Sequence, residues 1–319
     1  MNFFGKTNID FLGKRRTWFM VSIIVCAISL MLPFLGVKFG IDFTGGTEAG
    51  VAFQRPVETQ EVREAMQQAG FGGSEIKDYG QPGQYLIRVG TAADAPERIM
   101  NGLKMAFPDN TVTILKMDKI GPKVGSELRS QALLAVALSI IAILLYVAFR
   151  FEFVYGLGAI VAILHDVTVA IGAVVLVQKL NLFNLDVDQS VVAALLTVIG
   201  FSINDTVIIF DRIRENKEKH KNMQFIPLMN LSINETLSRT INTVLTVVMV
   251  LLVMVLFGGE VLRGFSFVML VGIITGSYSS IYISSAFVVW YLEHVRKVNV
   301  EGRSASSIED KSVNRAVRV

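Results

Sequence analysis

Six apolar runs, each long enough to cross a lipid bilayer, constrain this 319-residue chain more than any other feature. They are Trp18 to Val37, Gln131 to Phe149, Val154 to Val177, Val187 to Phe210, Ile241 to Phe257 and Phe265 to Leu292. Roughly 20 apolar residues at about 1.5 Å each match a hydrocarbon core of about 30 Å. Backbone groups in lipid must bond within their own segment, so each run is expected to be a helix. The composition, 52% hydrophobic and 18% charged, carries more apolar mass than a soluble core of this length needs. A basic stretch, Lys14 to Arg16, precedes the first run as it would in a secretory signal. The run is too long for a signal and no small-residue cleavage site follows, so an uncleaved spanning helix is expected, with Pro33 in its last turns.

Cations divide the connecting segments into two sets. Lys14 to Arg16, Arg150, the loop with Arg212, Arg214, Lys217, Lys219 and Lys221, and the tail with Arg296 and Lys297 fall on one side, which the positive-inside rule makes the cytoplasm. The other side receives two short links, holding Lys179 and Arg263, and the long segment from Lys38 to Arg129. The expected order is a cytoplasmic N-terminus (1–17), a first spanning helix (18–37), an extracytoplasmic domain (38–128), five further spanning helices (129–293) with a basic cytoplasmic loop (211–239), and a disordered cytoplasmic tail (294–319). In that loop Phe225, Leu228, Met229, Ile233 and Leu237 recur at helical spacing, which predicts an amphipathic helix lying in the membrane interface.

Within the outer segment the pattern predicts strand, helix, strand, strand, helix, strand. The pieces are Glu48 to Gln54, Glu58 to Ala69, Ser74 to Tyr79, Gln84 to Val89, Ala95 to Phe107 and Asn110 to Asp118. A split βαβ arrangement of the ferredoxin-like type is the economical expectation, an α+β domain between the first two spanning helices.

An ionisable side chain at mid-bilayer costs about 2.5 to 3.5 kcal/mol on insertion scales, so it faces protein or water for a reason. Asp166 follows His165 in the third run and shares a helical face with Gly158, Ala162 and Ala170. It is either part of a proton relay or a buried carboxylate that pins helix packing. Asp205 lies in a polar cluster with Ser202, Asn204 and Thr206, just after Gly200. Arg239 opens the fifth helix, and Asn242, Thr243 and Thr246 continue its face. If the two stripes meet, Arg239 favours the ionised form of Asp205 while burial favours the neutral one, which leaves a carboxylate responsive to conformation and hydration. The bland alternatives are a snorkelling anchor for Arg239 and a structural partner for Asp205. Gly272, Gly276, Ser280 and Ser284, with Thr275 and Ser279 beside them, form a small-residue seam suited to tight helix packing.

Other patterns dissolve in context. Asn204-Asp205-Thr206 is a formal glycosylation sequon inside a membrane span. Gly45-Gly46 lacks the lysine of a phosphate loop. The single cysteine, Cys26, sits in an apolar run and can form no intramolecular disulfide. No acid and His or Ser constellation suggests hydrolysis, so no enzyme activity, metal or cofactor is expected. Nothing points to nucleic acid.

Several segments together match a known family. They are Gly40-Ile41-Asp42-Phe43-Thr44-Gly45-Gly46-Thr47, Gly121-Pro122-Lys123-Val124-Gly125, Phe149-Arg150-Phe151-Glu152, His165-Asp166, Gly200 to Thr206, Phe210 to Asn216, Thr236-Leu237-Ser238-Arg239-Thr240 and Phe257-Gly258-Gly259. In this order, over roughly residues 10 to 285, the chain resembles the SecD/SecF protein-export family of the resistance-nodulation-division superfamily, and with its single outer domain it is similar to the smaller of the two subunit types. Phe201 stands where some relatives carry tyrosine.

The resemblance implies half of a permease of that superfamily, paired obligately with SecD in the bacterial cytoplasmic (inner) membrane. It implies assistance to late-stage Sec-dependent translocation, powered by proton-motive force and no cofactor, alongside the SecYEG translocon, SecA, YajC and YidC, with an unfolded exported polypeptide as cargo. It places Asp205 and Arg239 in the proton-conducting region; Ser202, Asn204, Thr206, Thr243 and Asp166 are the further candidates for that pathway by their position in the helices. Protonation of Asp205 is then expected to weaken its pairing with Arg239, shift the fourth to sixth helices against SecD and tilt the domain of residues 48 to 119. Half of a small-molecule or lipid exporter, or a non-transporting translocon scaffold, are the competing expectations.

Overall fold

The computed structural model describes residues 7–150, 153–183, 185–298 and 300. Most of the expected tail, 301–319, lies outside the described residues, as do residues 1–6 of the N-terminal segment. Six helical segments are long and apolar enough to cross a membrane: Leu12–Leu35, Pro122–Val147, Phe153–Leu180, Gln189–Lys219, Phe225–Phe257 and Leu262–His294. The chain is a multi-pass membrane protein. The third, fourth and sixth segments form the centre, with 50%, 44% and 56% of their most apolar stretches buried. The first, second and fifth are peripheral, at 11%, 6% and 11%, and expose most of their apolar surface.

In the first segment, helix α1 (Arg15–Met31) gives way to a 3-10 turn at Leu32–Leu35, because Pro33 cannot continue the α-helical bonding, and the chain leaves through Gly36 at φ 96°. A short turn, α2 (Ile41–Thr44), leads into β1 (Gly46–Phe53), α3 (Thr59–Gln68), β2 (Glu75–Asp78), β3 (Gln84–Val89), α4 (Ala95–Ala106) and β4 (Val112–Ile120). The sheet order is β2-β3-β1-β4 with every neighbouring pair antiparallel, the ferredoxin-like arrangement. Strand alternation sends Ala49, Val51, Phe53, Tyr85, Ile87 and Val89 to one face, where Val62 and Met66 of α3 and Ile99 and Leu103 of α4 complete an apolar core. A capping box between Glu58 and Glu61 starts α3. Gly46, at φ 138°, has room for no side chain: a Cβ there would lie 2.7 Å from the Val89 carbonyl oxygen.

The remaining helices are α5 (Pro122–Arg150), α6 (Phe153–Leu180), α7 (Gln189–Lys219), α8 (Phe225–Phe257), α9 (Gly259–Ser279) and α10 (Ser285–His294). A π-helical stretch, Ser280–Ser284, joins the last two. Two expectations are corrected here. Arg212 to Lys219 are not loop but the last turns of α7, held by Arg212–Glu215 (2.5 Å), Glu215–Lys219 (2.6 Å) and Arg212–Glu235 (2.7 Å) ion pairs. The amphipathic stretch from Phe225 is not a separate interfacial helix. No breaker follows Pro227, which sits in the first turn where it is tolerated, so the helix runs unbroken to Phe257. Its apolar face, Leu228, Met229, Ile233 and Leu237, is buried against Phe210, Ile213, Val288 and Val289. On the same helix Asn230 and Asn234 bind the backbone of Ile9, Phe11 and Leu12.

Candidate functional site in the membrane-spanning helices

The central helices touch through their small residues. A Cβ on Gly272 would lie 2.2 Å from Val198, and one on Gly276 would lie 3.3 Å from Ser202 and 3.5 Å from the Asp166 carboxylate. On the opposite side Gly158 meets the Ser284 carbonyl, 3.0 Å from where its Cβ would be. Backbone contact this close lets short hydroxyl side chains reach across between helices.

Asp166 occupies the centre of this contact and is 1% exposed. Its Oδ2 accepts hydrogen bonds from Ser202 Oγ (2.6 Å) on α7 and Ser279 Oγ (2.7 Å) on α9, and its Oδ1 lies 3.0 Å from His165 Nδ1. The carboxylate thus binds three helices together, and the two serine contacts are short enough to be charge-assisted. The His165 ring lies 6.2 Å from that of Tyr278, whose hydroxyl is bonded to Ser22 (2.8 Å) and to the Trp18 carbonyl (3.0 Å). Tyr278 thus ties α9 to α1 beside the His165 ring.

Asp205, one turn beyond Ser202, is arranged differently. It is 8% exposed and no hydrogen bond reaches its carboxylate among the described residues. Arg239 is close enough to act on it electrostatically, but no ion pair within 4 Å joins them. The direct Asp205–Arg239 pair that the sequence allowed is not formed among the described residues: Arg239 lies on the exposed side of α8 and acts on Asp205 only through its charge. Neighbouring hydroxyls do not fill the gap, because Thr206 bonds to the Ser202 carbonyl (3.0 Å) and Thr243 to the Arg239 carbonyl (3.0 Å), each on its own helix. Asn204 is exposed and shares a face with the exposed Thr197 and Gly200.

The structure therefore joins Asp166 with Ser202, brings Asp205 and Arg239 near each other, and leaves Asn204 and Thr243 on outer faces. The sequence reading assigned Ser279 to the packing seam only. Its place three residues after Gly276, on a face crowded by Asp166, was the available signal. Among the described residues no group of three or more His, Cys, Asp or Glu is placed to hold a metal.

Residues 102–294 match the model of the protein export membrane protein SecD/SecF C-terminal family, and residues 31–57 match the SecD/SecF GG motif. This chain belongs to the SecD/SecF family. Relatives called protein translocase subunit SecF include one from Calditerrivibrio nitroreducens, 41% identical over 301 residues (92% of this chain, 97% of the relative). Another, from Rhodothermus marinus, is 38% identical over 293 residues (91% and 95%). The crystal structure of SecDF, a translocon-associated membrane protein from Thermus thermophilus, superposes with a TM-score of 0.79 at 36% identity. A SecDF structure in a super-membrane-facing form gives 0.68 at 34%. The chain aligns over 89% of its own length with the first but spans only 39% of that SecDF chain. In SecD/SecF terms, the GG motif contains the Gly45-Gly46 turn at the root of the outer domain, and the C-terminal region holds Asp166, Asp205 and Arg239.

Proposed function

We propose that this protein is the smaller half of a SecD–SecF-type pair in the bacterial cytoplasmic membrane, where it couples proton-motive force to late-stage movement of an exported polypeptide. The observation that carries this reading is the uncovered polar surface around Asp205. Thr197 and Asn204 on α7, and Arg239, Thr243 and Thr246 on α8, are all exposed in apolar helices. The three threonine hydroxyls bond carbonyls of their own helices, but lipid offers no partner to the Asn204 amide or to the Arg239 guanidinium at the mouth of its span, and leaving such groups unpaired there is costly. A second membrane subunit with matching polar groups removes that cost, and SecD, the other part of the solved SecDF chain, is the partner of that chemistry.

With SecD in place, Asp205 and Arg239 lie at a protein interface that water can enter. The carboxylate accepts no hydrogen bond among the described residues, so taking up a proton removes a buried charge and, with it, the attraction to Arg239. The helices carrying the two groups, α7 and α8, then settle at a different separation. A unit charge crossing 100 mV carries about 2.3 kcal/mol, enough to bias such an equilibrium. Asp166, Ser202, Asn204, Thr206 and Thr243 surround this route, the first two as its rigid backing. The termini face the cytoplasm in this reading, and the SecYEG translocon and SecA deliver the chain on which the outer domain acts.

The deciding experiment is reconstitution with SecD and the translocon, with the translocation ATPase inactive and a proton gradient imposed. Gradient-dependent completion of export that disappears in Asp205→Asn, with the complex assembled at its normal level, is the expected result. Undiminished export by that variant would defeat the reading, leaving a scaffold role. Proton-driven efflux of a lipid or small molecule without effect on export would make the chain an exporter half.

A further inference from the structure

The face of the outer sheet opposite its helices carries charge. Strand alternation that sends Ala49, Val51 and Ile87 to the core sends Glu48, Arg88, Glu75 and Lys77 to the other side. Register places Arg88 directly between Glu48 and Glu75, and Glu48 opposite Asp118. Arg88 binds Glu48 at 2.6 Å and Glu75 at 3.4 Å, and Lys116 bridges Glu48 (3.0 Å) and Asp118 (2.8 Å).

One more carboxylate enters this network from outside the domain. Asp186, in the link between α6 and α7, lies 2.8 Å from Arg88 Nη1 and 3.3 Å from Lys77 Nζ, with only 10% of its side chain exposed. Burial works against the Arg88 charge, but Asp186 and Glu48 more than offset it, so the guanidinium is held even more firmly protonated than usual. Arg88 Nε and Asp186 Oδ1 are also shut off from solvent and have no partner among the described residues, so the same two residues have a second, two-pronged pairing geometry open to them.

Asp186 is joined just as closely to the membrane helices. Two residues on, Asp188 caps α7 by accepting from the Val191 amide at 2.9 Å. Val187 pairs with the strand leaving α1: Gly40 N donates to Val187 O and Val187 N to Lys38 O, both at 2.9 Å. Gln178, near the end of α6, fastens Lys38 and Leu185 from beside them, and Asp42 accepts from the Gln189 amide at 2.9 Å. Next to this junction a cleft of about 760 Å³, lined by Ile76, Lys77, Tyr85, Gln178 and Leu185, separates the outer domain from the membrane unit and leaves room for tilting.

We propose that Asp186 is the positioning residue through which α7 moves the outer domain, its carboxylate held in the charged face of the sheet by Arg88 and Lys77. This rests on the reading that α7, which carries Asp205, responds to protons. The Gly45-Gly46 turn is the pivot and the Asp186 contact is the strut. The ion pair transmits displacement because it can change geometry without leaving either charge buried alone.

The test uses the full-length protein with SecD in lipid, in a Cys26→Ser background, with spin labels at Met105→Cys on the outer domain and Leu182→Cys on the α6–α7 link. Asp186→Asn and Arg88→Gln are each expected to widen the label-to-label distance distribution at least twofold and to lower gradient-driven export about tenfold. Proton flux should stay within about twofold. The double variant should be no worse than either single one, and Asp186→Glu should recover most of the loss. Unchanged width and export in Asp186→Asn overturn the proposal, as do losses that multiply in the double variant or proton flux that falls together with export. If Asp205→Asn exports normally, the proposed function fails, while the distance measurement still reports whether Asp186 holds the domain.

Discussion

Two buried carboxylates in neighbouring helices differ in almost every respect that matters. Asp166 accepts from two serines at 2.6 and 2.7 Å, touches His165 at 3.0 Å and is enclosed by Gly276 and its own helix. Among the described residues Asp205 has no hydrogen bond, and Arg239 is within electrostatic reach but not in an ion pair with it. A carboxylate with its acceptor sites filled by short side chains of three helices can change state only if the helices separate. One held by a distant charge can change state while the helices stay packed. In the proposed function the first is the immobile group and the second the responsive one, although sequence alone places both as acids in apolar helices.

The largest effect that would break this contrast is on export. Asp205→Asn is expected to lower gradient-driven translocation about 100-fold, roughly 2.7 kcal/mol of coupling, while leaving the unfolding midpoint of the complex nearly unchanged. Asp166→Ala should do the reverse. It leaves Ser202 and His165 without their buried partner, while Ser279 keeps only its bond to the Gly276 carbonyl, and should cost about 3 kcal/mol of stability, read by denaturant or protease resistance in detergent. Equal stability losses for the two variants would remove the distinction. Gly272→Ala tests the packing that makes the Asp166 cluster, since the added carbon overlaps Val198; about 1 to 3 kcal/mol is expected. Ser279→Ala removes one hydrogen bond of three and should cost about 1 kcal/mol. Thr243→Val is the smallest: its hydroxyl bonds only to the Arg239 carbonyl, so stability should move by less than about 0.5 kcal/mol. A marked loss of proton flux in that variant would place Thr243 on the proton route itself.

Much of the architecture was legible before any coordinates. The spans followed from length and apolarity, and the ferredoxin-like domain from alternation between turn residues. Even the misread segments show where such reading stops. Arg212 to Lys219 are too polar for a span, yet ion pairs with Glu215 and Glu235 keep them helical. The Leu228 to Leu237 stripe was periodic as expected, but periodicity does not say whether lipid or Phe210 will cover it. Ser279 was seen as a small residue rather than a donor, because its acceptor is 113 residues away.

The sequence by itself determined which segments cross the membrane, the order of strands and helices outside it, and which ionisable groups are carried into the apolar interior. These depend on local length, periodicity and composition. Only the tertiary structure decided that Asp166 is saturated, that Asp205 and Arg239 approach without touching, and that Asp186 rises beneath the outer sheet to meet Arg88. Those outcomes depend on how each helix is rotated about its axis and how closely glycines let neighbours approach. Both are set by the packing of the whole bundle.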